Sequence, residues 1–133
     1  MGLFSWLRPS RSASAPPARP SIILITVHEA HEAIQAGTRI LIDVRKPEEW
    51  SAVGRPAGAL GLTLQDPDFE RKLAAIVGGD TEKALAFSCK TGGRSSQAAE
   101  RAAQAGYGDV ANVEGGFLAW QAAGLPIDTG PFD

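Results

Sequence analysis

One stretch constrains the fold of this chain more than any other. The apolar run Ala84-Leu85-Ala86-Phe87 leads into Ser88-Cys89-Lys90-Thr91-Gly92-Gly93-Arg94, and an alanine-rich segment without Gly or Pro follows from Ser95 to Ala105. The run fits a buried strand, and the alanine-rich segment fits a helix stopped at Gly106. Such a strand–loop–helix unit aims the loop N–H groups and the helix N-terminus at one spot that favours an anion. Gly92 and Gly93 can take positive φ and let the backbone close around a central atom. Cys89, the only cysteine in 133 residues, stands at that centre. A thiol facing several N–H groups, with Lys90 and Arg94 nearby, ionises more easily than a free cysteine and becomes a nucleophile. Arg94 sharpens this reading, because a cation in the first turn of a helix opposes the dipole and calls for a functional reason. The plain alternative for a lone cysteine is a small buried apolar residue. Two glycines, a hydroxyl, two cations and a helix start around it favour reactivity instead.

Length and charge bound the rest. With 133 residues, 44% of them hydrophobic, the chain makes one domain with a modest core. A single cysteine excludes an intrachain disulfide and a cysteine-rich zinc site, and suits a reducing compartment, the cytoplasm. Residues 1–21, rich in Ser, Pro and Ala, hold Arg8, Arg11 and Arg19 and no acid, and read as a flexible basic tail. A transit peptide or a weak membrane-surface contact of this tail stays open. Residues 22–133 then carry 10 basic against 15 acidic groups, which disfavours a nucleic-acid surface. No run is long and apolar enough for a transmembrane span.

Along the domain, Ile22-Ile23-Leu24-Ile25 reads as a strand, and Thr26 with Glu29 as the capping box of a helix that reaches Ala36 and ends at Gly37. His28 and His31 on that helix lack the spacing of a metal pair, and no metal site is expected. Arg39 to Ile42 reads as a second strand ended by Asp43. In a parallel sheet Asp43 and Cys89 both lie at carboxyl ends of strands, where open α/β sheets place their sites. Asp43 is expected to support neighbouring loops by accepting N–H bonds. Pro47 opens a short helix through Trp50, and Asp66-Pro67-Asp68 opens another whose apolar stripe is Phe69, Leu73, Ile76 and Val77. Val110 to Val113 reads as the last strand, Glu114-Gly115-Gly116 as a turn, and Phe117, Leu118 and Trp120 as the start of the last helix, with its aromatics in the core.

Three segments in order, Asp43-Val44-Arg45-Lys46-Pro47-Glu48-Glu49-Trp50, the loop Cys89 to Arg94, and Val113-Glu114-Gly115-Gly116-Phe117-Leu118-Ala119-Trp120, resemble the single-domain rhodanese (thiosulfate sulfurtransferase) family. The resemblance covers about residues 22 to 127, which sets the domain at 22–127 and leaves 128–133 as a C-terminal tail. It implies a three-layer α/β/α domain with a mainly parallel sheet of about five strands, and a pairing of Arg45 with Glu48 as a support. The family's Gly-His-Ile-Pro-Gly-Ala segment is here Gly54-Arg55-Pro56-Ala57-Gly58-Ala59. Arg55 thus replaces the usual histidine, and either adds positive charge to the pocket or lies exposed.

The implied chemistry is sulfur transfer through Cys89, which takes the outer sulfur of thiosulfate or of a persulfide donor and yields it to a nucleophilic acceptor. The partners are thus a small sulfur donor and a thiophilic acceptor, or a protein persulfide donor or thiol acceptor. Neither a metal nor an organic cofactor is needed. Lys90 and Arg94 draw in the sulfonate, Thr91 supplies a hydroxyl hydrogen bond, and Gly92 and Gly93 shape the loop. Two other readings stay open: a non-catalytic interaction or redox-sensing module, and a related cysteine phosphatase or arsenate reductase. The latter enzymes place five residues between Cys and Arg, whereas four separate Cys89 from Arg94.

Overall fold

The computed structural model describes residues 21–132, so all but the last residue of the expected N-terminal tail lies outside the described part. The chain runs β1 (Ile22–Ile25), α1 (Val27–Ala36), β2 (Ile40–Asp43), α2 (Pro47–Val53), β3 (Arg55–Pro56), β4 (Leu60–Gly61) and α3 (Phe69–Ile76). It continues through β5 (Leu85–Ser88), α4 (Gly93–Gln104), β6 (Val110–Val113), α5 (Gly116–Ala122) and β7 (Ile127–Asp128). The boundary chemistry follows the sequence. At the start of α1 the Glu29 N–H donates to Thr26 Oγ1 at 3.0 Å, while the Thr26 N–H donates to Glu29 Oε1 at 2.8 Å, which closes the capping box.

Five strands form one parallel sheet in the order β1-β6-β5-β2-β4. Alternation along each strand decides what each face receives, since successive side chains point to opposite sides. Ile42, Leu85, Phe87 and Val110 pack with Phe69 and Leu73 of α3 and with Ala98, Ala99 and Ala102 of α4. Leu41, Ala86, Ala111 and Val113 pack on the other face with Val27 and Ala30 of α1 and Trp120 of α5. The result is the expected α/β/α sandwich. The buried alanines let α4 sit close to the sheet, while Phe69 and Phe87, with ring centroids 6.5 Å apart, supply the bulk. Each of these rings contributes about 1.5–3 kcal/mol through burial.

A second, two-stranded ribbon pairs β3 with β7 antiparallel, Arg55 opposite Asp128 and Pro56 opposite Ile127. It carries ordered structure one residue into the segment expected as a C-terminal tail. Farther on, Phe132 lies 4.2 Å from the Arg55 guanidinium. No helix among the described residues is long and apolar enough to cross a membrane.

Candidate active site

Cys89 follows β5 directly and, like Phe87 two residues before it, belongs to the α4 face of the sheet; it is 1% exposed. The chain turns back on its sulfur at Gly92, whose φ of 125° is open to glycine and strained for other residues. There the Gly92 N–H donates to Sγ at 3.0 Å, and the Ser95 hydroxyl lies 3.3 Å from the same atom. Burial pushes the thiol pKa up, but the Ser95 hydroxyl and the N–H groups of Ser95, Gly92 and Thr91 outweigh it, and the net shift is downward. Gly93 takes no positive φ and simply starts α4. Thr91 is exposed and acts through its N–H; the hydroxyl on the sulfur is that of Ser95, which the sequence reading did not single out.

The loop is held from two sides. From α5, the Phe117 N–H donates to the Cys89 carbonyl at 2.8 Å and the Leu118 N–H to the Lys90 carbonyl at 3.2 Å. Those bonds turn the loop carbonyls away and leave its amides to the sulfur. They require Gly116, with φ 56°, because a Cβ there would sit 2.7 Å from the Lys90 carbonyl oxygen and against that of Cys89. From the sheet comes Asn112, on the same face of β6 as Val110 and therefore turned toward α4. It lies 2.6 Å, Oδ1 to Oγ, from Ser95, and its Nδ2 donates to the Gly92 carbonyl at 3.3 Å. A polar residue inside the otherwise apolar Val110-Ala111-Asn112-Val113 was the available signal for it.

Two arginines are accounted for differently than expected. Arg45 does not pair with Glu48. Its guanidinium holds Asp43 through Nε, at 3.1 Å to both carboxylate oxygens, and Nη2, at 2.7 Å; Nη2 also donates to the Gly54 carbonyl at 2.8 Å. Asp43 Oδ1 accepts the Arg45 N–H at 2.9 Å as well. Both residues are buried, and the guanidinium lies 4.2 Å from the Phe117 ring centroid. Glu48 is exposed, and the adjacent Glu49 makes the ion pair that faces the loop. Its carboxylate takes both arms of Arg94, Nη1 to Oε1 at 2.6 Å and Nη2 to Oε2 at 3.0 Å. Hydrogen bonds from Arg94 outweigh the cost of burial and, with the Lys46 N–H and the charges of Arg94 and Arg45, hold Glu49 at about 2 instead of 4.5. The Arg94 fork expected to grip a sulfonate is thus filled by a carboxylate. Glu49 raises the Arg94 pKa, and the charge of Cys89 adds to that.

Arg55 meets neither expectation. It is half-buried, 4.2 Å from the Phe132 ring centroid and 5.0 Å from that of Trp50. It is absent from the hollow of about 250 Å³ beside the cysteine loop, which Glu49, Ala52, Val53, Lys90, Phe117 and Leu118 help to line. That hollow has charged walls at Lys90 and Glu49 and apolar walls at Val53 and Leu118, which are 51% and 46% exposed. A hollow of about 330 Å³ at the opposite ends of the strands, lined by Thr81, Glu82, Gly106, Gly108 and Asp109, lies away from the thiol.

The rhodanese-like domain family matches residues 26–123, and the matched span contains the whole cysteine loop and its supports. The chain belongs to this family. As a rhodanese-like domain it is 36% identical over 116 residues to thiosulfate sulfurtransferase 16, chloroplastic, of Arabidopsis thaliana, with 80% of this chain and 92% of that protein covered. It is 37% identical over 106 residues to thiosulfate sulfurtransferase GlpE of Actinobacillus succinogenes, covering 79% of this chain and 89% of the relative. Relatives of this kind over most of its length make it a transferase. Among solved structures, the polysulfide-sulfur transferase homodimer of Wolinella succinogenes superposes with a TM-score of 0.68 at 26% identity, covering 96% of this chain and 90% of the other.

Proposed function

We propose that this rhodanese-like domain is a sulfurtransferase that carries one sulfane sulfur on Cys89 as a persulfide. The observation that carries the reading is the convergence of the Gly92 N–H and the Ser95 hydroxyl on a buried sulfur in a chain with no second cysteine. In the loading step the Cys89 thiolate attacks the outer sulfur of thiosulfate; the S–S bond of the donor breaks, sulfite leaves with the electron pair, and Cys89–S–S⁻ remains. In the discharge step an acceptor such as cyanide attacks the outer sulfur, the inner S–S bond breaks, and Cys89 leaves as thiolate while thiocyanate departs. Donors held beside the sulfur stabilise the thiolate. With the Arg94 fork engaged by Glu49, the sulfonate of a donor falls to the loop amides and to Lys90 on the rim, and Arg94 acts as a fixed positive charge beside the sulfur. The chemistry suits a reducing compartment, the cytoplasm, where the thiol stays free.

Intact-protein mass spectrometry tests this directly. Thiosulfate should add the mass of one sulfur, cyanide should remove it, and Cys89→Ser should never acquire it. A protein that turns over thiosulfate and cyanide without ever showing the adduct would rule the persulfide out.

A further inference from the structure

Ser95 has a single hydroxyl proton and three acceptors within reach: Asn112 Oδ1 at 2.6 Å, the Gly92 carbonyl at 3.2 Å and Cys89 Sγ at 3.3 Å. The proton can satisfy one of them at a time. The Asn112 amide has no freedom to flip, because the Gly92 carbonyl can only accept and fixes Nδ2 on its side. Oδ1 therefore always faces Ser95 and always competes with the sulfur for the proton. The competition has two regimes. When Sγ carries the negative charge, a charge-assisted bond to it is the stronger one. When Cys89 carries the extra sulfur, the charge moves to the outer atom, Sγ becomes a weak acceptor, and the shorter bond to Asn112 wins.

We propose that Ser95 and Asn112 form a one-proton switch that assists discharge of sulfur and is held back from slowing its capture. In discharge, the inner S–S bond breaks and the electron pair goes to Sγ; the Ser95 proton turns from Asn112 to that sulfur and stabilises the leaving thiolate. In loading the same thiolate is the nucleophile, and stabilising it lowers its reactivity. Asn112, by pulling on the proton, limits that loss. Ser95 touches the reacting atom, whereas Asn112 is a positioning residue that acts through Ser95. The charged groups around the sulfur are otherwise engaged: Arg94 with Glu49, Asp43 with Arg45, and Lys90 exposed on the loop. None of them bonds to Ser95 or Asn112. The proposal rests on the persulfide reading of Cys89.

The test separates the two half-reactions by rapid quench on the full chain, with thiosulfate for loading and cyanide for discharge, at a pH above the thiolate titration of each variant. Ser95→Ala should lower the ratio of discharge to loading by about tenfold, the effect of one hydrogen bond to a charged group felt with opposite sign by a leaving group and a nucleophile. Asn112→Leu should do the reverse, raising that ratio and moving the Cys89 ultraviolet titration to lower pH. In the Ser95→Ala background Asn112→Leu should change the ratio by less than about twofold. Should Asn112→Leu not fold, Asn112→Ala carries the same expectations. An unchanged ratio in Ser95→Ala would overturn the switch, as would an Asn112 effect of equal size with and without Ser95. A protein that forms no persulfide at all would instead remove the reading beneath it, and the first mass spectrum tells these failures apart.

Discussion

Glu49 shows how much one side chain can be displaced from its ordinary chemistry by a well-placed partner. Its folded pKa of about 2 lies below the ordinary 4.5, so the Arg94 pair stabilises the fold above about pH 4.5 and that contribution is lost as pH falls toward 2. Glu49→Gln should therefore lower the melting temperature at pH 7 and flatten its decline between these two pH values; a wild-type slope in the variant would refute the coupling. The choice between the adjacent Glu48 and Glu49 was not legible from residue type. It is set by helix position: α2 starts at Pro47, and the third residue, Glu49, reaches back to the Lys46 N–H at 3.0 Å, as Glu29 does to Thr26. The same capping logic that located α1 would have found it. Ser95 and Asn112 were harder, because each is an ordinary polar residue until strand register brings Asn112 opposite Phe87, two residues before the cysteine.

At the level of elements, the site depends on a helix that contributes no side chain to the sulfur. The first turn of α5 takes the carbonyls of Cys89 and Lys90, and only a residue without a Cβ fits at Gly116. Gly116→Ala should push the loop off α5. Loading from thiosulfate should fall by about tenfold or more, since small misplacements of reacting groups are costly. The Cys89 titration should move up toward that of an ordinary thiol as its donors lose alignment. An alanine variant with wild-type loading and titration would show that the loop holds its shape unaided. The longer elements were readable: β1, α1, β5, α4 and β6 fall within a residue or two of their expected limits. The two-residue strands β3, β4 and β7 were not, because so short a segment has no period to display and exists only through its partner.

On the scale of the whole molecule, the departure from the family pattern at Arg55 is absorbed by the chain's other end. The Arg55 guanidinium lies against Phe132 and Trp50, and Trp50 and Phe132 meet at 6.4 Å between ring centroids. Burial lowers the Arg55 pKa, which marks a cation kept for packing and not for solvent. Phe132→Ala should lower stability by about 1–2 kcal/mol through lost ring contacts, with kcat/KM for thiosulfate within about twofold of wild type. Lost activity at unchanged stability would return Arg55 to the site.

The sheet order carries one more consequence, for how the domain comes into being. Ile22 pairs with Val110, Val110 with Leu85, and Leu85 with Ile40. The first and the last of these parallel partnerships span long stretches of chain and must wait for large loops to close, so this topology belongs among the slower-folding ones. The cysteine loop draws its supports from α2, β6 and α5, which meet only after those closures. A nascent chain emerging up to Arg94 already carries the complete motif, yet has none of the hydrogen bonds from beyond that point that hold its sulfur and loop. The lowered thiol pKa of Cys89 is therefore a late acquisition of the polypeptide, and until then its one thiol ionises as a free cysteine does.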